Sequence, residues 1–227
     1  MKKIIAVCLA LAAVLTLFSA CGKPKLKTVE TKDFVYEVQE DNTAKITAYT
    51  NTDPIVVLEI PAAIDDLTVT AIGERAFADH DNLTEVYLPA TILTIGEGAF
   101  ENSSVRNVFL HKARSIEILP PNCFANCHQL VQVDIGNGIK MLSIKAFSLC
   151  ENLLYVTLRG DPSIIDSLAF DACPKVELRV KSDFKNIIAY AEQHNIKYVA
   201  TDAVTAISAA WAIMTATSRR SRGAFLY

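Results

Sequence analysis

The sequence predicts a β-rich solenoid of about five 23-residue repeats, with a β-hairpin cap at its N-terminal end and a helix–strand cap at its C-terminal end. Three observations lead there. Phenylalanines recur at Phe77, Phe100, Phe124, Phe147 and Phe170, at intervals of 23, 24, 23 and 23 residues. Each follows a small residue (Ala76, Ala99, Cys123, Ala146, Ala169) and stands five positions after an aliphatic one (Ile72, Ile95, Leu119, Leu142, Ile165). Behind the first four comes an L-x-x-V-x-L-type run: Leu83-Val86-Leu88, Val105-Val108-Leu110, Leu130-Val133-Ile135 and Leu153-Val156-Leu158. A unit this short cannot bury its apolar side alone, so stacked units must cover one another.

Taken in order, the chain opens on a leader. Lys2 and Lys3 precede an uncharged apolar stretch, Ile4 to Phe18, and small residues Ser19 and Ala20 precede Cys21. This is the pattern of a secretory signal, and the apolar run is short for a membrane span, which needs roughly 20 residues. The stretch Leu17-Phe18-Ser19-Ala20-Cys21 resembles the lipobox of bacterial lipoproteins, with Phe18 where that pattern prefers Leu. The resemblance implies cleavage after residue 20, lipidation of Cys21 and a membrane anchor, since two acyl chains hold stably where one is marginal. Residues 21–33 are polar and without hydrophobic period, which reads as a tether. Residues 34–60 alternate on both sides of Glu40-Asp41-Asn42, the mark of a hairpin. Its place is over the open end of the stack, where unpaired strand edges invite aggregation.

Residues 61–180 hold the repeats. Each L-x-x-V-x-L run forms a short strand in a parallel ladder, the small residue lets neighbouring turns approach, and the phenylalanine fills the core between coils. The 24-residue interval comes from two slips: Phe100 to Val105 is one residue short and Leu110 to Ile116 two long. The pattern I-G-x-x-A-F-x-x-C-x-x-L-x-x-V-x-L-P resembles the BspA-type leucine-rich repeat of bacterial surface proteins, over about residues 50–200. The third copy departs by carrying Leu119-Pro120 for Ile-Gly, and the fifth, Pro174 to Val180, keeps only the alternation. The resemblance implies a leucine-rich-repeat solenoid whose work is contact with macromolecules outside the cell. Residues 181–200 resemble the family's C-terminal cap, a helix from about Asp183 to His194 started by Asp183 or Ser182 and followed by a strand. The tail, 201–227, is apolar through Ala203–Thr217 and then basic. It reads as an appendage of unknown role: a membrane-lying or packing helix, or non-native sequence from a shifted reading frame.

Chemistry-bearing residues follow the repeat instead of converging. Three positions after each phenylalanine stand His80, Ser103, Cys127, Cys150 and Cys173, one column, which reads as a buried structural ladder. Parallel side chains in register suit a disulfide poorly. Cys123, Cys127 and His128 lack the second ligand pair of a zinc site. Asp79, His80 and Asp81 read as a solvated turn. No nucleophile, metalloprotease or phosphate-loop motif occurs. The expectation is therefore no catalytic residue, no metal and no cofactor. Net charge is −3, with no basic block in the repeats, which sets nucleic acid aside.

What remains is a surface. The x positions of the strands form two outward columns: Glu85, Asn107, Gln132, Tyr155, and Tyr87, Phe109, Asp134, Thr157. Three aromatics among them suggest a binding face, aromatics being enriched at hot spots. The reading is a lipid-anchored binding or adhesion module on the outer face of a bacterial membrane or at the cell surface, with an extracellular protein or glycan as partner. Two rivals stand beside it: an envelope scaffold holding a protein of its own cell, and an accessory domain for extracellular glycan processing.

Overall fold

A computed structural model describes residues 26–53 and 56–200. The leader, Cys21 and the tail 201–227 lie outside the described residues. The chain runs through β1 (Lys27–Glu30), β2 (Phe34–Val38) and β3 (Ala44–Tyr49), then β4 (Val56–Glu59), β5 (Ala63–Ile64) and β6 (Leu67–Ile72). From there long and short strands alternate: β7 (Leu83–Tyr87), β8 (Thr94–Ile95), β9 (Asn107–Phe109), β10 (Ile118–Leu119), β11 (Gln132–Ile135), β12 (Met141–Leu142), β13 (Tyr155–Leu158), β14 (Ile164–Ile165) and β15 (Glu177–Val180). Helix α1 (Lys185–Gln193) and β16 (Lys197–Ala200) close the chain.

Each coil contributes one strand to each of two sides. The long strands form a seven-stranded parallel ladder in the order β16-β15-β13-β11-β9-β7-β4. The short strands stack on the other side, β10-β12-β14 in one sheet and β8 against β6 in another. Between the sides runs a column of rings. Phe77, Phe100, Phe124, Phe147 and Phe170 stack with centroids 4.9, 5.1, 5.6 and 5.1 Å apart and nearly parallel planes. This spacing follows the strand spacing of roughly 4.8 Å, so one register sets both. The caps extend the column: Tyr49 lies 5.5 Å from Phe77, Phe34 lies 5.5 Å from Tyr49, and Tyr190 of α1 lies 6.1 Å from Phe170. The small residues before each phenylalanine are fully buried, as close approach of the coils requires.

Two further columns recur in the turns. Arg75, Gly98, Asn122 and Lys145, two before the phenylalanine, have φ between 52° and 58°. Asp79, Asn102, Asn126, Leu149 and Ala172, two after it, have φ between 54° and 62°. Asn, Asp and Gly tolerate this left-handed region best, and they hold most but not all of these places. Gly96 answers a different need: a Cβ there would stand 2.4 Å from the backbone nitrogen of Glu74 in the preceding coil.

The structure departs from the sequence reading in four places. The tether is not irregular throughout, because Lys27–Glu30 pairs antiparallel with β2. The stretch 34–60 holds the expected hairpin, with Asn42 left-handed in its turn, but its last part is β4, the first strand of the ladder, in parallel register with β7. Val56-Val57-Leu58 reads as strand for the same reason the later runs do, yet no phenylalanine precedes it to mark a repeat. The ladder therefore has seven strands where five repeats were expected. Finally, α1 begins at Lys185 with Phe184 at the N-cap, making no side-chain cap bond. Asp161, in the loop behind β13, accepts from the Asn186 and Ile187 amides at 3.1 and 3.0 Å. The acceptor for these two amides comes from the preceding coil, where the sequence reading looked to Asp183 or Ser182.

Candidate binding face

The two columns expected on the long ladder stand in register. Glu85 pairs with Asn107, Asn107 with Gln132 and Gln132 with Tyr155; Tyr87 pairs with Phe109, Phe109 with Asp134 and Asp134 with Thr157. Both continue in either direction, to Val57 and Glu59 on β4 and to Glu177 and Arg179 on β15. Alternation explains the arrangement: Val86, Val108, Val133 and Val156 turn inward and are fully buried, so their neighbours turn outward.

Exposure within the columns is uneven, which corrects the expectation of three exposed aromatics. Phe109 is only 8% exposed, Asp134 4% and Thr157 8%. Their cover comes from the ladder itself. The Tyr87 ring stacks on Phe109 at 4.4 Å and 13°, and His111 meets Phe109 edge-on at 6.4 Å. Arg159 grips Asp134 with both arms, Nε to Oδ1 and Nη2 to Oδ2, each 2.8 Å. Side chains one rung apart are close enough to shelter one another when they are large or charge-paired. Glu85, Tyr87, Asn107, Gln132 and Tyr155 remain half-buried.

Asp134 is the electrostatic centre of the face. Burial pushes its carboxyl up, but the neighbouring His111 and Arg159 side chains outweigh that and hold it below the usual carboxylate range. The same contact raises Arg159. His111 Nδ1 lies 3.2 Å from Asp134 Oδ2. That approach is close but is not aligned as a hydrogen bond, and the nitrogen has no hydrogen-bond partner among the described residues. Toward the C-terminus, the Arg179 guanidinium lies 3.6 Å over the Tyr155 ring, and Glu177 meets Arg179 and Lys197. Toward the N-terminus, the Tyr87 hydroxyl donates to Glu85 at 2.9 Å.

His111, Arg159, Glu177, Arg179 and Lys197 were not among the residues read from the sequence. A signal for the first two was present. Extending the period of two past the strand end places His111 beyond Phe109 and Arg159 beyond Thr157, on the same outward side. Glu177 and Arg179 belong to the degenerate fifth copy, where the missing three-residue step hid the columns.

The remaining candidates fall elsewhere. Cys127, Cys150 and Cys173 form the expected column as buried free thiols, each donating to the carbonyl of a phenylalanine one coil back, at 3.0, 3.0 and 2.9 Å. Burial pushes the Cys127 thiol up to about 11 and Cys123 well above its ordinary value. Asp79 binds Arg75 and Asn102 at 2.8 Å each, while the His80 ring packs 5.1 Å from Tyr49. Among the described residues no three His, Cys, Asp or Glu side chains converge as metal ligands would, and no helix is long and apolar enough to cross a membrane.

A ladder of this pattern, with a phenylalanine column behind it, defines a class of repeat protein. Residues 44–177 match, in six copies, the family described as BspA type leucine rich repeat region, and the chain belongs to that family. A leucine rich cell surface protein from Faecalibacterium prausnitzii A2-165 superposes with a TM-score of 0.61 at 23% identity, over 77% of this chain and 40% of that one. A leucine-rich repeat protein from Bacteroides ovatus ATCC 8483 gives 0.48 at 25% identity, over 66% of this chain and 46% of that one. This chain thus spans less than half the length of either.

Proposed function

We propose that the chain is an extracytoplasmic binding module, anchored by lipid at Cys21, whose long-ladder face takes a protein or glycan partner outside the cell. The observation that carries this reading is the outward column Tyr87–Phe109–Asp134 with His111 and Arg159, a rigid set of aromatic and paired ionic groups on one face. Rigid aromatic and Arg anchors lose little entropy on binding and are enriched at hot spots. Membership in the BspA-type family, and likeness to a leucine rich cell surface protein, support placement outside the cell. The role is recognition and not catalysis, with no cofactor and no nucleic-acid partner.

Two experiments test it. Full-length protein and its Cys21→Ala variant are expressed and fractionated, and the variant should leave the membrane for the soluble fraction; equal retention would remove the lipid anchor from the reading. Binding to matrix proteins, glycan arrays and envelope extract is then compared with a Tyr87→Lys, Tyr155→Lys variant, which spares buried Phe109. Partner binding lost in the variant, with an unchanged melting curve, supports the face. Binding kept in full moves the site off it, and capture of an envelope protein alone favours a scaffold over adhesion.

A further inference from the structure

A second surface stands apart from the long ladder, on the side of the short strands. Ile118, Met141 and Ile164 are register partners there and point outward. Ile144 and Leu149 follow in the Phe147 coil and Leu168 in the Phe170 coil. Apart from partly exposed Met141, these residues are between 39% and 56% exposed. Together they show on the order of 400 Å² of aliphatic surface, the size of patch that on a monomer is often functional.

The repeat supplies its own control. The position of Ile144 holds Glu74 and Glu97 in the Phe77 and Phe100 coils. The position of Leu149 holds Asp79, Asn102 and Asn126. The fold therefore accepts polar residues at these places, and the Phe147 coil presents large aliphatic ones at both. At Leu149 this also opposes the backbone, because its φ is 61°, a conformation that suits Asn and strains Leu. An exposed leucine in a strained turn has no use in the folding of its own coil.

We propose that this patch is a self-association surface that takes a second copy of the chain. Its rim is arranged for a two-fold axis centred on the Phe147 coil. Each coil enters the patch at one edge and leaves at the other: Glu117 and Lys140 are exposed on entry, Glu151 and Lys175 on exit. A two-fold axis through the middle coil sets Lys140 against the partner's Glu151 and Glu117 against the partner's Lys175. It also places Ile144, which lies between Lys140 and Glu151 along the coil, near the axis. Such an interface is isologous, each patch meeting itself. The aliphatic centre and charged rim together approach the roughly 800 Å² per partner of an ordinary specific interface.

In-cell disulfide trapping of the full chain tests this. Ile144→Cys should yield a dimer on a non-reducing gel after mild oxidation, while Asp41→Cys, on the exposed hairpin turn, should not. Adding Lys140→Glu to Ile144→Cys should cut the dimer several-fold, and adding Glu151→Lys as well should restore it. That rescue cannot come from within one chain, because Lys140 pairs internally with Glu117 and not with Glu151. Leu149→Asn in the same background should raise the melting temperature and still weaken the dimer. No Ile144 dimer above the Asp41 control, a band of another mass, a failed charge rescue, or a dimer indifferent to Leu149→Asn would each overturn the proposal. None of these outcomes bears on the long-ladder face, which is tested by partner binding.

Discussion

Phe124 sits in the middle of the ring column, fully buried, between Phe100 at 5.1 Å and Phe147 at 5.6 Å. Truncation to Ala removes both ring contacts and leaves a hole that flanking backbone, fixed by two ladders, cannot close. Phe124→Ala should destabilise by about 3–5 kcal/mol in urea melts. Asp134 gives a different kind of prediction. Asp134→Asn keeps the shape but leaves Arg159 without its charge partner, at a cost of about 1–3 kcal/mol near neutral pH. Because the folded carboxyl is held below its unfolded value, its contribution is present above about pH 4 and fades as pH falls through the folded value. The gap between wild type and Asp134→Asn should therefore narrow in acid, and a gap independent of pH would show that the carboxylate charge is not what stabilises. The two residues also mark what the sequence makes legible. Phe124 was evident because repetition every 23 or 24 residues has no other source. The burial of Asp134 was not, because it depends on Arg159, 25 residues later and just past a strand end, and only the ladder register brings the two together.

Among the elements, α1 departs from its sequence reading in an instructive way. Its place agreed with the helix that the resemblance to the family's cap implied, and Ile187, Tyr190 and Ala191 form its buried face, with Tyr190 against Phe170. Its cap did not, because local rules look for Ser or Asp beside the helix. The structure takes the acceptor from Asp161, one coil earlier, whose two carboxylate oxygens bind two successive amides at the helix start. This couples the C-terminal cap to the solenoid rather than to its own flanking loop. Asp161→Ala should cost about 0.5–2 kcal/mol. The loss should concentrate in hydrogen exchange of α1 and β16, with amides of β9 and β11 little changed. Uniform loss across the ladder would mean that the cap and the repeats unfold as one unit. The short strands illustrate the converse limit. Two residues each, they carry no period of their own, and the sequence reading marked only their aliphatic residue five places before each phenylalanine, not a strand.

At the scale of the whole molecule, each coil touches only its neighbours, so stability should behave as a sum of coils and their interfaces. This makes a whole-period deletion the sharpest test of the architecture. Removing residues 78–100 takes out one complete 23-residue period, including β7 and β8. It joins Phe77 to Glu101, so that Phe77 would stack on Phe124 and β4 would pair with β9. Every inward residue keeps its side, since the cut spans one full repeat. The shortened chain should fold cooperatively, with a lower melting temperature and a smaller urea m-value, reflecting less surface exposed on unfolding. A deletion of 12 residues, 78–89, removes about half a period and turns the following strand against the wrong side; it should not fold. The contrast separates a stacked solenoid from a globular domain that happens to contain similar segments, since a globular core would lose both variants alike. The Phe124, Phe147 and Phe170 coils are untouched by the longer deletion, so the aliphatic patch survives in it. Disulfide trapping through Ile144→Cys should persist in the shortened chain even though the Tyr87 end of the long-ladder face is gone.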